Sequence, residues 1–254
     1  MPYVDTHCHL DHHEGLSVAE QVERARAAGV GLMITIGTDM ASSTQAVSTA
    51  RRFDDVHACV GIHPNDAMEA SPRVLEVIER LTEEPEVVAV GETGLDYYRD
   101  HTTPQQQSAA FRAHIDLARE HDKTLVIHCR EAWADCLAIL EDATAPPRVV
   151  MHCFSGDVDV AKRCADRGWF LSFAGTVTFG NATSLRDALA ATPMRQVLVE
   201  TDAPYLTPHP YRGRPNGSYL VPITVREIAR VQDMELEAVC AALSDNTTRA
   251  FGTW

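Results

Sequence analysis

Eight short apolar runs, separated by helical stretches, constrain this chain more than any other feature. They lie at Tyr3–His7, Gly31–Gly37, Val56–Gly61, Val87–Glu92, Thr124–His128, Val149–Cys153, Trp169–Phe173 and Val197–Thr201. Segments such as Leu125-Val126-Ile127 and Val197-Leu198-Val199 are apolar at every position, which suits strands buried on both faces of a parallel sheet. Helix start signals fall between them. Ser17-Val18-Ala19-Glu20 has the form of a capping box with Gly29 as its stop, and Asp157 can cap a helix ending at Gly168. Ser71-Pro72 and Thr103-Pro104 each place an N-cap before proline at the first helical position. Phe111, Ile115 and Ala118 make one apolar helical stripe. A proline-rich loop follows the eighth run, from Ala203 to Pro222, and two or three helices cover Ile223–Val231, Glu235–Leu243 and Asp245–Phe251. Eight strand–helix repeats without a break in composition predict an α/β fold, a single (β/α)8 TIM barrel with extra C-terminal helices, as one domain over residues 1–254. An open doubly wound sheet is the competing topology, but no glycine-rich turn follows the first run.

Composition narrows the function classes. No run of about 18 apolar residues is present, so no membrane span is expected. The N-terminus lacks a basic region followed by an apolar one, and the seven cysteines include no CxxC pair. Both features predict a cytoplasmic protein with reduced thiols. The net charge of -14 excludes a globally basic nucleic-acid-binding surface. It leaves room for a polyanionic substrate held by dications and a few local arginines. No obligatory protein partner is expected.

The C-terminal ends of the expected strands carry an unusual set of side chains. Strand one supplies His7 and His9, strand three His63, strand four Glu92, strand five His128, strand six His152 and strand eight Asp202. In a parallel barrel these ends share one face, where the active site is built. Alternation along each strand lets all of them point inward, and turns Cys8, Cys129 and Cys153 toward the helix layer as packing thiols. Imidazoles with carboxylates suit zinc or manganese, and magnesium less well. His63 is not needed as a ligand; the other four histidines and two carboxylates are still too many for one tetrahedral ion, and Glu92, on a middle strand, could bridge two ions about 3.5–4 Å apart. A lysine carbamate cannot take that place. The two lysines are Lys123, at the opposite end of strand five, and Lys162, on a helix.

The chain resembles the TatD-type metal-dependent deoxyribonucleases of the amidohydrolase-like barrels. The resemblance rests on Asp5-Thr6-His7-Cys8-His9-Leu10, Gly61-Ile62-His63-Pro64, Gly91-Glu92-Thr93-Gly94-Leu95-Asp96-Tyr97-Tyr98 and Ile127-His128-Cys129-Arg130. It continues in His152-Cys153-Phe154-Ser155-Gly156 and Glu200-Thr201-Asp202-Ala203-Pro204-Tyr205-Leu206. It implies two divalent ions, one held by His7, His9 and Asp202, the other by His128 and His152, with Glu92 bridging. Where the family usually has Arg-Gly-x-x-Asn-Glu-Pro, this chain has Arg212-Gly213-Arg214-Pro215-Asn216-Gly217-Ser218.

The reaction expected is two-metal phosphodiester hydrolysis, and the resemblance implies 3′-5′ exonuclease action on single-stranded DNA. Asp202 would orient the attacking water and take its proton, with Glu92 the other catalytic carboxylate and Glu200 supporting a ligand. His63, Arg130, Tyr205, Arg212 and Arg214 are candidate substrate contacts, with Arg99 as a further phosphate contact and Tyr97 and Tyr98 as further stacking platforms. The same ions would also serve a binuclear esterase or amidase, such as a D-aminoacyl-tRNA deacylase. A non-enzymatic metal-binding scaffold is a third reading.

Overall fold

All eight expected strands form. The structure is a computed structural model and describes residues 2–13 and 15–252; the ends of the expected 1–254 span lie outside the described residues. The strands are β1 (Tyr3–Cys8), β2 (Val30–Ile36), β3 (Val56–Val60), β4 (Val87–Asp96), β5 (Thr124–Arg130), β6 (Val149–Met151), β7 (Phe170–Phe173) and β8 (Val197–Val199). The helices are α1 (Val18–Ala27), α2 (Met40–Ala50), α3 (Pro72–Thr82), α4 (Pro104–Glu120), α5 (Trp133–Asp142), α6 (Val158–Asp166), α7 (Thr183–Ala191), α8 (Val221–Gln232) and α9 (Leu236–Phe251). Strand order follows chain order, and the fold class is the (β/α)8 barrel, with α8 and α9 as the C-terminal additions.

The chain divides into two compact units, residues 36–152 and residues 1–35 with 153–254. In the continuous unit β3, β4, β5 and β6 pair in parallel in that order. In the other, β1 pairs with β2 and β7 with β8. The end of β1 bonds to the segment after β8: Asp202 N–H donates to the His7 carbonyl at 2.9 Å and His9 N–H to the Ala203 carbonyl at 2.7 Å.

Local sequence chemistry accounts for several helix starts. Ser17 and Thr103 form reciprocal capping boxes with Glu20 and Gln106, and Asp157 accepts the Val160 N–H. Ser71 makes no side-chain cap, and Pro72 alone marks the start of α3. The two last expected helices are one continuous α9. The hydroxyls of Thr247 and Thr248 donate back to the carbonyls of Leu243 and Ser244, so residues with cap character are absorbed in the helix interior.

The largest difference from the expected boundaries is in β4, which continues four residues past Glu92. Thr93, Gly94, Leu95 and Asp96 pair with Ile127, His128, Cys129 and Arg130 of β5. Gly94 makes this possible. Its φ is +134°, and a β-carbon there would collide with the His128 carbonyl oxygen, so only glycine permits so close an approach of the two strands.

Candidate metal centre

Each unit holds a cluster of potential ligand atoms among its described residues. In the first cluster, His7 and His9 stand two residues apart at the end of β1, on one face as alternation requires. The register bonds between the end of β1 and the segment after β8 bring Asp202 to them. Its Oδ1 lies 3.8 Å from His7 Nε2 and 3.5 Å from His9 Nε2. Asp202 adopts φ +54°, a left-handed conformation that aspartate tolerates better than most residues. Both rings are buried, while Asp202 keeps 14% exposure. Cys8 between them points away and donates its thiol to the Ile34 carbonyl; burial pushes that thiol well above its ordinary pKa. Cys8, Cys129 and Cys153 are not joined in disulfides.

Behind this group Asp5 is fully buried. Its carboxylate accepts the Thr201 N–H at 2.8 Å and the Thr201 hydroxyl at 2.6 Å. Burial outweighs these donors and lifts its pKa to about 6. Glu200 is likewise buried, and its Oε1 accepts the backbone N–H of Cys153, the residue after His152, at 2.8 Å.

The second group centres on one oxygen. Glu92 Oε1 lies 2.9 Å from His128 Nδ1, 3.1 Å from His152 Nε2 and 3.5 Å from His63 Nε2. Burial opposes ionisation of Glu92, but the facing histidines more than offset it and hold the carboxyl well below its usual range. The other ring nitrogen of His128 meets Asp96 Oδ2 at 3.1 Å. Burial disfavours an imidazolium at His128, yet bonds to Asp96 and Glu92 raise its pKa to about 9.

Both donor sets fit a divalent ion. The ligand atoms of His7, His9 and Asp202 lie within 4.8 Å of one another, as do those of His63, Glu92 and His128. Mixed imidazole and carboxylate donors are the chemistry of borderline cations.

The family model described as TatD related DNase matches residues 4–252. The chain belongs to the TatD-related DNase family. It is a metal-dependent hydrolase. It is similar to an uncharacterized metal-dependent hydrolase TatD of Mycobacterium tuberculosis, 43% identical over 98% of this chain and 97% of that one. A protein of Klebsiella pneumoniae named 3′-5′ ssDNA/RNA exonuclease TatD is 38% identical over 92% of this chain and 91% of its own. The crystal structure of YjjV, a TatD homolog of Escherichia coli, superposes with a TM-score of 0.93 at 28% identity, covering 99% of this chain and 98% of that one.

Against this family background the remaining expected residues divide. His63 has its Nδ1 committed as acceptor of the Asn65 N–H, capping the 3₁₀ turn at Pro64–Glu69, while Nε2 faces Glu92. Burial drives its pKa down to about 3. Arg212 stacks its guanidinium 4.1 Å from the centre of the Phe179 ring and donates to the Thr207 carbonyl, so it braces its own loop. Arg130 lies 3.7 Å above the exposed ring of Tyr98. Tyr97 is turned aside, its hydroxyl donating to Asp135 at 2.7 Å. Tyr205 is exposed, with its ring centre 6.0 Å from that of His9. The departure at Gly217 also has a structural correlate: a β-carbon there would run into the ring of Tyr219.

Asp96 is the residue that strand-end reasoning misses. It is 2% exposed, accepts the N–H groups of Tyr98 and Arg99, and holds His128 from the side opposite Glu92. With His128 its strongest favourable partner, its pKa falls to about 2 although burial opposes this. Its spacing of four residues from Glu92 on a β-strand was the available signal, because even spacing keeps both on one face.

This arrangement predicts a proton signature for metal loading. His128 is an imidazolium below about pH 9 in the metal-free protein, and a metal ligand must be neutral. Binding of zinc or manganese at pH 7 should therefore release at least one proton, and affinity should rise about tenfold per pH unit up to pH 9. Calorimetry in buffers of different ionisation enthalpy measures the proton count. A count of zero would show that the His128 ring is neutral before loading or does not ligate the ion.

Proposed function

We propose that this chain is a two-metal nuclease that removes nucleotides from the 3′ end of single-stranded nucleic acid, with its whole length working as one hydrolase domain. The observation that carries the proposal is the pair of donor groups, each joining imidazoles to a carboxylate. The exonuclease name borne by relatives 38% identical supports the choice of bond and substrate.

His7, His9 and Asp202 are assigned to one ion, and His128, His152 and Glu92 to the other, with Glu92 shared as the family resemblance implies. Bound dications would supply Lewis acidity toward the phosphoryl group and its leaving oxygen. The protein supplies positioning. Asp202, the most exposed of the first group, would orient the attacking water and accept its proton. Glu92 is kept anionic by its three histidines, and Asp96 fixes the ring of His128. Glu200 tethers the backbone at Cys153.

A 5′-labelled single-stranded oligonucleotide, incubated with manganese-, magnesium- or zinc-loaded protein, should shorten stepwise and yield 5′-mononucleotides. Release of an amino acid from aminoacyl-tRNA with no shortening of DNA or RNA would replace this reading with the deacylase.

A further inference from the structure

We propose that a cavity in the discontinuous unit is a subsite for a non-reacting nucleotide of the single-stranded substrate; this rests on the nuclease reading. The cavity has a volume of about 520 Å³ and lies between the start of α1 and the loop after β8. Its walls include His13, Arg24, Tyr211, Arg214, Tyr219 and Leu220.

The lining matches a nucleotide. The Arg24 guanidinium sits 6.0 Å from the centre of the Tyr219 ring, and that of Arg214 sits 5.8 Å from the centre of Tyr211. Two aromatic rings thus stand beside two cations. A nucleotide presents the complementary pair, a flat base and a phosphate. Among the described lining residues there is no carboxylate, although the chain as a whole carries a net charge of -14. Among the described lining residues the arginine charges are cationic, on a protein that is acidic as a whole, and this suits a polyanion.

The chain itself limits its distance from the first donor group. His13 follows His9 by four residues, so their α-carbons are at most ~14 Å apart. Gln21 of α1 donates to the carbonyls of Leu10 and Leu16, tying the helix to the loop that leaves His9. On the other wall, the Asn216 amide donates to the carbonyls of Thr201 and Tyr205, which flank Asp202. A strand whose terminal phosphate reaches His9 and Asp202 can therefore place a neighbouring nucleotide in the cavity. Gly217 shapes the aromatic wall. Because it has no β-carbon, the Tyr219 ring can lie along the backbone, at a place where the family usually carries glutamate.

The test is binding of a fluorescent eight-residue oligothymidylate to metal-free full-length protein, read by anisotropy over a range of salt. The Arg24→Ala/Arg214→Ala double variant should raise Kd at least ~10-fold and flatten the slope of log K against log salt by ~0.7 for each phosphate no longer neutralised. Tyr219→Leu should raise Kd by about tenfold with the slope unchanged. In the metal-loaded enzyme, both should raise KM for the oligonucleotide more than they lower kcat. Melting temperature and metal content serve as folding controls. Variants that fold and bind with wild-type Kd and salt slope would overturn the subsite, as would a wild-type protein that does not bind the oligonucleotide. Failure of the nuclease reading looks different: Kd responds to the variants, but the wild-type, metal-loaded enzyme leaves the oligonucleotide intact.

Discussion

Glu92→Ala is expected to lower hydrolysis by at least ~100-fold and to deplete bound metal. One oxygen of this carboxylate faces His63, His128 and His152 within 3.5 Å, so its removal takes away an anionic partner common to all three rings. The effect on metal content is informative. If Glu92 bridges, as the family resemblance implies, both ions weaken together; if it serves one ion, the protein retains the one held by His7, His9 and Asp202. Glu92→Gln separates chemistry from folding, because it keeps the volume and one acceptor while losing the charge. It should still fold, with a lower melting temperature in the metal-free state because the facing histidines lose their anionic partner, and be inactive. Metal analysis with single-turnover hydrolysis decides the matter, and a Glu92→Ala enzyme within tenfold of wild-type rate would remove Glu92 from the site.

Acid should destabilise the protein through a histidine that touches no ligand. His114 of α4 is fully buried; its Nε2 accepts the Ile62 N–H at 3.0 Å and its Nδ1–H donates to the Ala110 carbonyl at 2.7 Å. These bonds require the neutral ring. Burial lowers its pKa to about 4, against about 6.5 in the unfolded chain. The unfolded state therefore binds more protons between these values. The stability is fully present above pH 6.5, declines as pH falls, and is lost by about pH 4, with a total of about 3 kcal/mol. Urea unfolding of metal-free protein at pH 7 and pH 4.5 should show a smaller pH-dependent loss in His114→Leu than in the wild type. At pH 7 that variant should itself be less stable by about 1–3 kcal/mol, because the Ile62 N–H is left buried without an acceptor. Equal pH dependence in the two proteins would refute the assignment. Ile62 precedes His63, so this bond also fixes the backbone that delivers a ring to Glu92.

The strands and the face their ends share were legible because apolar runs and strict alternation are local properties. His7, His9, His128, His152, Glu92 and Asp202 were candidates from strand-end position supported by parity, and the structure places His7 and His9 beside Asp202 and His128 and His152 beside Glu92. Asp96 escaped because the expected fourth strand stops at Glu92; the pairing with β5 that carries it on through Gly94 to Asp96 is a long-range fact. Arg212 illustrates the same limit from the other side. A basic residue on a loop suggests phosphate, while the Phe179 ring, distant in sequence, holds its guanidinium. His114 sat within a recognised apolar stripe, and nothing local announced the Ile62 amide waiting for it.

The division of the donors between a continuous and a discontinuous unit has a consequence for biogenesis. His63, Glu92, Asp96, His128 and His152 all belong to the unbroken stretch 36–152, so that group is complete as soon as one uninterrupted length of chain has emerged. His7 and His9 emerge earlier but must wait for Asp202, 193 positions after His9. At a synthesis rate of about 5–20 residues per second, that delay is ~10–40 s. The pair nearest the N-terminus is thus the last to acquire its carboxylate, and on the ribosome metal capture should begin with the group centred on Glu92.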